Sequence, residues 1–188
     1  MEKPFVRSHT PLPISKISSV MAAKLIIRKF LPSDIDKIVE IEKASFPQGA
    51  YSKRRLESLS KKHPNDFLVA QLADKKVGYI IAYNKAGVID FDSLTIDKKY
   101  RKLGIGKKLV VFVLNRFRKK GLKKASLEIR TSNKGAISFF QNLGFKITKV
   151  IKHYYRDSED AYRMKKDLIY LSNQIPPFTI LVFKKLII

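Results

Sequence analysis

One segment near the middle of the chain limits the possible folds more than any other, because an extended stretch, a glycine loop, a helical stretch and a second extended stretch follow one another. Residues 87–96 (GVIDFDSLTI) alternate as a strand does, and the apolar run Leu109–Phe117 is typical of a helix that stops at Gly121. Residues 124–130 (KASLEIR) form the next strand. Such a strand–helix–strand connection implies a right-handed crossover, so the sheet is predicted to be parallel at this point.

The other elements predict antiparallel strand pairs and three further helices. Ser33, Ser52 and Asn133 stand directly before helical stretches, where N-cap residues are preferred. Five further strands are predicted at residues 24–30, 66–73, 76–84, 145–152 and 160–168. The order β-α-α-β-β-β-α-β-α-β-β predicts an α/β (α+β) fold in a single domain, with a mixed, mostly antiparallel central sheet flanked by about four helices.

Composition narrows the possible functions. The chain has no cysteine and only three scattered histidines, so neither a disulfide nor a metal site is expected. No apolar run approaches the length of a membrane span, and the proline-containing N-terminus does not resemble a secretory signal, so a cytoplasmic protein is expected. The net charge of +23, from 39 basic and 16 acidic residues, predicts attraction to polyanions or phosphorylated ligands.

The loop in DKKYRKLGIGKKLV, residues 97–110, has the features of a phosphate-binding turn. Gly104 and Gly106 allow positive φ and close approach of the main chain to a ligand, and the following helix N-terminus adds positive potential. A dinucleotide-binding fingerprint would require a glycine at position 109, which is leucine. A plain basic turn remains the alternative to a pyrophosphate site. The formal charge comes from Arg101, Lys102, Lys107 and Lys108.

Three ordered motifs resemble one enzyme family. YRKLGIG, residues 100–106, resembles the R-x-x-G-x-G signature with which GCN5-related N-acetyltransferases (GNAT) bind acetyl-CoA. Residues 127–145 and 154–168 resemble the following strand and helix, and the end of the catalytic domain, in the RimI-like branch. The resemblance implies a GNAT fold over residues 24–168, with a loosely ordered arm at 1–23 and a C-terminal extension at 169–188. It also implies acetyl transfer from acetyl-CoA to the α-amino group of a protein or peptide N-terminus, without a metal.

The resemblance also suggests which side chains carry the chemistry. RimI-like enzymes have a proposed general base at the position of Glu128, and Leu127 and Ile129 point to the opposite face of the same strand. An ion pair with a lysine or arginine is the alternative role for Glu128. Asp90, on the neighbouring strand, is a second catalytic candidate, and Asp92 is expected to have a supporting or solvent-facing role. By period-two alternation, Asp90, Asp92, Leu94 and Ile96 are expected to share one face.

The same resemblance assigns cofactor contacts. The family's splayed strand corresponds to Leu94, Thr95 and Ile96, where a β-bulge would leave main-chain groups free for pantetheine. Asn133 is a further candidate, as is Phe140, which stands where relatives carry a tyrosine that acts as general acid. A phenylalanine cannot donate a proton, so the general acid is left open. In the glycine loop the assigned residues are Arg101, Lys102, Leu103, Gly104, Ile105, Gly106 and Lys107.

Two loops are expected to hold the acceptor. The resemblance assigns substrate contacts to Phe46, Pro47, Gln48 and Tyr51 in the first loop, and to Tyr154 and Tyr155 in the last hairpin. Two alternatives stay open: a lysine or small-amine acetyltransferase of the same fold, and a non-catalytic RNA- or ribosome-binding protein suggested by the high positive charge. Even in an enzyme, the basic surface could bring the protein close to ribosomes. The oligomeric state is not predicted.

Overall fold

The structure is a computed structural model that describes residues 24–47 and 49–168. Seven strands form one sheet in the described part: β1 (Leu25–Lys29), β2 (Phe67–Leu72), β3 (Lys75–Lys85), β4 (Val88–Ile96), β5 (Lys124–Arg130), β6 (Lys146–Ile151) and β7 (Ala161–Asp167). Their order across the sheet is β1-β2-β3-β4-β5-β7-β6. Neighbours are antiparallel except β4 and β5, which are parallel. The predicted sheet, mostly antiparallel with one parallel step, is confirmed.

Two helices cover each face of the sheet. The helices are α1 (Ile35–Ser45), α2 (Lys53–Lys62), α3 (Ile105–Arg118) and α4 (Lys134–Asn142). Ile38 of α1 and Leu56 of α2 share one core cluster with Phe67, whereas Val113 of α3 and Ile137 of α4 belong to the other. Two cores form because alternate residues of the central strands point to opposite faces. No helix in residues 24–47 and 49–168 is long and apolar enough to cross a membrane.

Helix boundaries follow the sequence signals at most positions. The Ser52 hydroxyl accepts a hydrogen bond from the Arg55 amide at 3.2 Å, and Asn133 Oδ1 accepts one from the Ala136 amide at 3.1 Å. Gly121 has a φ of 85° just after α3, as expected for a residue that ends a helix. These predicted caps are confirmed.

The predicted cap at Ser33 is wrong. Ser33 lies inside a short 3-10 turn, Pro32–Asp34, that precedes α1. The buried Asp34 carboxylate accepts a hydrogen bond from the Leu31 amide at 2.8 Å and pairs with Arg28 at 2.7 Å. The N-cap positions are Leu31 for the turn and Asp34 for α1, so Ser33 lies inside the turn and occupies neither of them.

A β-bulge at Asp92 changes which residues of β4 face each core. Phe91 pairs with Ala82 and Ser93 with Ile81, so Asp92 is an extra residue with no partner on β3. The alternation therefore shifts by one residue after the bulge. Leu94 and Ile96 pack against the α3/α4 core, whereas Asp90 pairs with Tyr83 on the opposite face. The prediction that Asp90, Asp92, Leu94 and Ile96 share one face is wrong for this reason.

β4 and β5 separate beyond the bulge. Their parallel pairing is limited to Ile89–Phe91 on β4 and Ala125–Leu127 on β5. Past these residues β4 continues to Ile96 along β3, and β5 continues to Arg130 along β7. A gap therefore opens between the carboxyl ends of two neighbouring parallel strands, which is where open α/β sheets bind ligands.

Candidate active site

The glycine loop lies at one side of this gap, between β4 and α3. Lys102 and Gly104 have φ angles of 65° and 75°, so two left-handed residues turn the chain just before the helix. Within the described residues, the amides of residues 102–107 donate to no protein acceptor. Successive free amides at a helix N-terminus form a concave site for an anion.

Side chains hold this loop in place from both sides. Arg101 Nε donates to the Ile96 carbonyl at 2.9 Å, and its guanidinium also donates to the Ser45 hydroxyl at 2.9 Å. Leu103 and Ile105 pack into the α3/α4 core. Arg101 therefore ties the loop to β4 and α1, and the exposed side chains of Lys102, Lys107 and Lys108 add positive charge beside it.

The predicted strand contacts are available through their main chain. Leu94 and Ile96 direct their side chains into the α3/α4 core, and the Thr95 hydroxyl is buried and donates to Glu42. The Ile96 carbonyl already accepts the Arg101 hydrogen bond, so among the described residues the main-chain groups left for a ligand are the others on the edge that faces away from β3, where β5 has already diverged.

Two aromatic residues of α4 differ in their surroundings. Phe140 is buried, with its ring centroid 6.4 Å from that of Phe91 and 5.3 Å from that of Phe145. Phe139 is half-buried beside the glycine loop, and a Cβ built on Gly106 would lie 3.5 Å from its ring. Sequence reasoning missed Phe139, although helical periodicity separates the faces of two consecutive phenylalanines. Asn133 is exposed and serves as the cap of α4.

Glu128 and Asp90 lie on the same face of the sheet. Asp90 is paired with Ser126, two residues before Glu128. The Glu128 side chain is 17% exposed, and its Oε1 accepts a hydrogen bond from Arg163 Nε at 2.7 Å. Within the described residues its Oε2 has no protein partner, and this oxygen is not among the buried atoms. Asp90 lies 3.4 Å from Lys85 Nζ. Each carboxylate thus has one cationic neighbour, and Glu128 keeps one free oxygen.

Asp92 is not solvent-facing. Its Oδ2 is buried and has no hydrogen-bond partner within residues 24–47 and 49–168, and the Tyr83 hydroxyl lies 3.4 Å from Oδ1. Burial raises the pKa of the Asp92 carboxyl, and the Tyr51 phenol and the charge of Arg55 only partly oppose this shift. The structure favours a supporting position for Asp92 beneath the first loop.

Glu42 is a buried carboxyl that sequence reasoning missed. It is 2% exposed, accepts the Tyr51 amide at 3.0 Å and the Tyr79 hydroxyl at 2.5 Å, and also bonds Thr95. Burial is the main cause that raises its pKa. Glu42 thus links α1, the first loop and two central strands. A signal was present in the sequence, because Glu42 falls at helical spacing on the apolar stripe that contains Ile35 and Ile38.

The two predicted substrate loops lie next to these carboxylates. Tyr51 packs against the α1/α2 core and faces Asp92. In the hairpin, Tyr154 is 47% exposed, and burial together with the nearby carboxylates of Glu128 and Asp90 raises its pKa. The Tyr155 ring is half-buried, 5.1 Å from that of Tyr154. Phe46 is half-buried and Pro47 exposed, whereas Gln48 lies outside the described residues.

The comparisons with known proteins agree with this geometry. The sequence profile of the Acetyltransferase (GNAT) family matches residues 35–145. The chain belongs to the GNAT family. It is 34% identical to an N-alpha-acetyltransferase of Sulfurisphaera tokodaii, over 76% of this chain and 92% of the relative. An uncharacterized N-acetyltransferase of Methanocaldococcus jannaschii is 35% identical over 76% of this chain and 91% of its own length. The crystal structure of Ard1 from Thermoplasma volcanium superimposes with a TM-score of 0.73 and 29% identity, covering 77% of this chain and 98% of Ard1.

The chain is therefore an N-acetyltransferase that uses acetyl-CoA as its acetyl donor. The site fits this GNAT co-substrate, because the free amides of residues 102–107 suit a diphosphate and the free edge of β4 suits an extended amide-containing arm. Within the described residues, no cluster of three or more histidine or acidic side chains could hold a metal ion.

Proposed function

We propose that this GNAT enzyme acetylates the α-amino group at the N-terminus of a protein or peptide. The observation that carries the proposal is the gap between β4 and β5. Six free amides lie at one side of the gap, and Glu128 and Asp90 lie together on one sheet face beside it. Support for the α-amine as acceptor comes from the relative of Sulfurisphaera tokodaii, which is named an N-alpha-acetyltransferase.

The reaction needs a neutral amine. An α-amino group has a pKa of about 8, so an appreciable fraction is neutral at pH 7, whereas a lysine amine at about 10.4 is almost fully protonated. In the proposed step, Glu128 Oε2 accepts the proton of the attacking amine, directly or through one water, with Asp90 as the second carboxylate. The new N–C bond forms as the C–S bond of the thioester breaks. Most of the remaining rate enhancement comes from holding the amine beside the thioester.

The departing thiolate requires a proton from a group other than residue 140. Phe140 has no proton to donate, so the proton comes from water or from a phenol, or CoA leaves as the anion. Among the described tyrosines, Tyr154 lies near both carboxylates, and its raised pKa keeps the phenol protonated at neutral pH. The contribution of Phe140 is then apolar contact alone.

The substrate loops enter this proposal through their contacts. The peptide main chain would lie between Tyr51 of the first loop and Tyr154 and Tyr155 of the hairpin, with Phe46 and Pro47 beside its first side chain. The remaining cofactor contacts are proposed as predicted: the main chain of residues 94–96 with the pantetheine arm, and Asn133 with the cofactor. Residues 24–168 form the proposed acetyltransferase domain, and the basic surface is proposed to steer the enzyme towards polyanions such as ribosomes.

The test compares two peptides that differ only at the N-terminus and at one internal position. One has a free N-terminus and no lysine, and the other has a blocked N-terminus and one internal lysine. Mass spectrometry after incubation with labelled acetyl-CoA should find the label on the free N-terminus. Labelling of the lysine peptide alone would replace the proposal with the alternative of a lysine acetyltransferase. A library of free N-termini would then define the preferred first residue.

A further inference from the structure

We propose that Arg130 is a positioning residue that holds both substrate loops in register with Glu128. The inference rests on the proposed function, because it concerns how the acceptor peptide is held. Arg130 is the last residue of β5, two residues after Glu128, so both side chains lie on the same face of the strand. The candidate base and the proposed clamp are thus fixed to one rigid element.

The contacts with the hairpin are charged and numerous. Arg130 Nη1 donates to both carboxylate oxygens of Asp157, at 3.0 and 2.8 Å, and to Glu159 Oε2 at 2.7 Å. Glu159 in turn accepts a hydrogen bond from the Ser132 amide at 2.9 Å. Hydrogen bonds from Ser132, followed by the interaction with Arg130, lower the pKa of Glu159 to about 2, so the carboxylate remains ionised at neutral pH. The hairpin is therefore tied to the end of β5 through a network rather than one exposed pair.

The guanidinium also covers a predicted peptide contact. Its central carbon lies 3.9 Å from the centroid of the Tyr155 ring. Burial is the main cause that raises the pKa of Tyr155 to about 12, so the phenol remains a hydrogen-bond donor at neutral pH. Stacking on one face of the ring limits its rotation, and the perpendicular packing of Tyr154 limits it further.

The other amino group of Arg130 faces the first loop. A Cβ built on Gly49 would lie 3.5 Å from Arg130 Nη2, so this loop passes directly over the guanidinium. Arg130 therefore bonds the hairpin and lies close to the first loop at the same time. A lysine would keep the charge but would lack the planar group that stacks on Tyr155 while it bonds two carboxylates.

The chain provides a matched control in Arg116. The side chains of Arg130 and Arg116 are 26% and 23% exposed, and each forms a short ion pair with an aspartate, at 2.8 Å to Asp157 and 2.7 Å to Asp66. Arg116 lies on α3 and contacts Asn65 and Asp66. Neither of these two residues is assigned to the site. Arg116→Lys should therefore reproduce the general cost of replacing an arginine without a change at the site.

The experiment measures steady-state kinetics of Arg130→Lys with the peptide that the wild-type enzyme acetylates. The KM for the peptide should rise about tenfold, the equivalent of one lost charge-assisted contact. The KM for acetyl-CoA and kcat at saturating peptide should stay within about twofold, as should all three constants for Arg116→Lys. Combining Arg130→Lys with Tyr155→Leu should raise the peptide KM little beyond the larger single effect, because both changes act through one contact. An unchanged peptide KM, or an equal rise in both KM values, would overturn the inference.

A second measurement does not depend on the identity of the acceptor. Amide hydrogen exchange of Arg130→Lys should become faster in residues 153–159 and near Gly49, and should stay unchanged in the strands. Exchange equal to that of the wild-type protein in both loops would overturn the positioning role. A wild-type enzyme that acetylates no free N-terminus would refute the proposed function alone, and exchange would still decide the role of Arg130.

Discussion

Replacing Gly106 with alanine should separate the stability of the glycine loop from its binding function. Gly106 is the second residue of α3, and its φ lies outside the left-handed region. An added Cβ would meet the Phe139 ring at 3.5 Å and the Ile96 side chain at 3.8 Å, both ordinary van der Waals distances. Alanine is favoured over glycine in a helix by roughly 0.5–1 kcal/mol, and the lower end applies in the first turn. The variant should therefore unfold at a temperature about 1–2 °C higher than the wild-type protein in the absence of ligand.

The same substitution should weaken acetyl-CoA binding. The free amides of residues 102–107 can reach a diphosphate only if the main chain approaches it closely, and we expect a methyl group at position 106 to hinder this approach. Losing one hydrogen bond to a charged group costs about 1.5–3 kcal/mol, which corresponds to a dissociation constant roughly 10–150 times higher. Isothermal titration calorimetry with acetyl-CoA measures this change, and differential scanning calorimetry without ligand measures the stability.

Gly104→Ala serves as the matched comparison. Position 104 has a φ of 75° and nothing within 4 Å of an added Cβ. The substitution to alanine should therefore destabilise the protein only through backbone strain, by about 1–2 kcal/mol. This variant should lose stability where Gly106→Ala gains it. If Gly106→Ala binds acetyl-CoA as tightly as the wild-type protein, the diphosphate does not approach these amides and the assignment of the loop fails.

Three further predictions concern the carboxyl groups. Glu128→Gln should lower kcat by roughly 10²–10⁴-fold and leave the acetyl-CoA dissociation constant within twofold; turnover equal to that of the wild type from pH 6 to 9 would remove Glu128 from the base role. Burial raises the pKa of Glu42, so this carboxyl binds a proton more tightly in the folded protein than in the unfolded chain. The wild-type protein should therefore lose stability relative to Glu42→Gln as the pH rises above about 4.5. Urea unfolding from pH 4 to 7 checks this sign, and a constant difference between the two proteins would contradict it. Burial also raises the pKa of Asp92, so Asp92→Asn should raise the free energy of unfolding at pH 7. A lower free energy of unfolding at pH 7 would mean that the protein stabilises the charged carboxylate of Asp92.

The ion pair of Glu128 with Arg163 affects how Glu128 could act as the proposed base. Both roles suggested by the sequence, a base and an ion-paired residue, are compatible because each uses a different oxygen. Arg163 orients the carboxylate through Oε1, and Oε2 remains available to the amine or to a bridging water. In the proposed step the attacking amine must already be neutral, because its lone pair forms the new bond. That requirement suits an α-amino group better than a lysine side chain.

Local chemistry in the sequence determined the elements and the position of the glycine loop. Alternation placed Glu128 on the face opposite Leu127 and Ile129, and cap residues located α2 and α4. The strand–glycine–helix–strand order predicted that β4 and β5 are parallel, because a helix that crosses over between two strands of a sheet joins them in the same direction. These features depend on neighbours within a few residues or on one connection, so the sequence contains enough information to predict them.

Tertiary structure alone decided the details of the site. The bulge at Asp92 depends on how β4 registers against β3, and it turned Leu94 and Ile96 away from Asp90. The insertion of β7 between β5 and β6 brought Arg163 to Glu128, and the fold brought Glu42 to Tyr79 across 37 positions in the chain. Register and strand order are set by the sum of many long-range contacts, each too weak to be visible in a short stretch of sequence. For this reason candidate side chains could be named from the sequence, whereas their geometry could not.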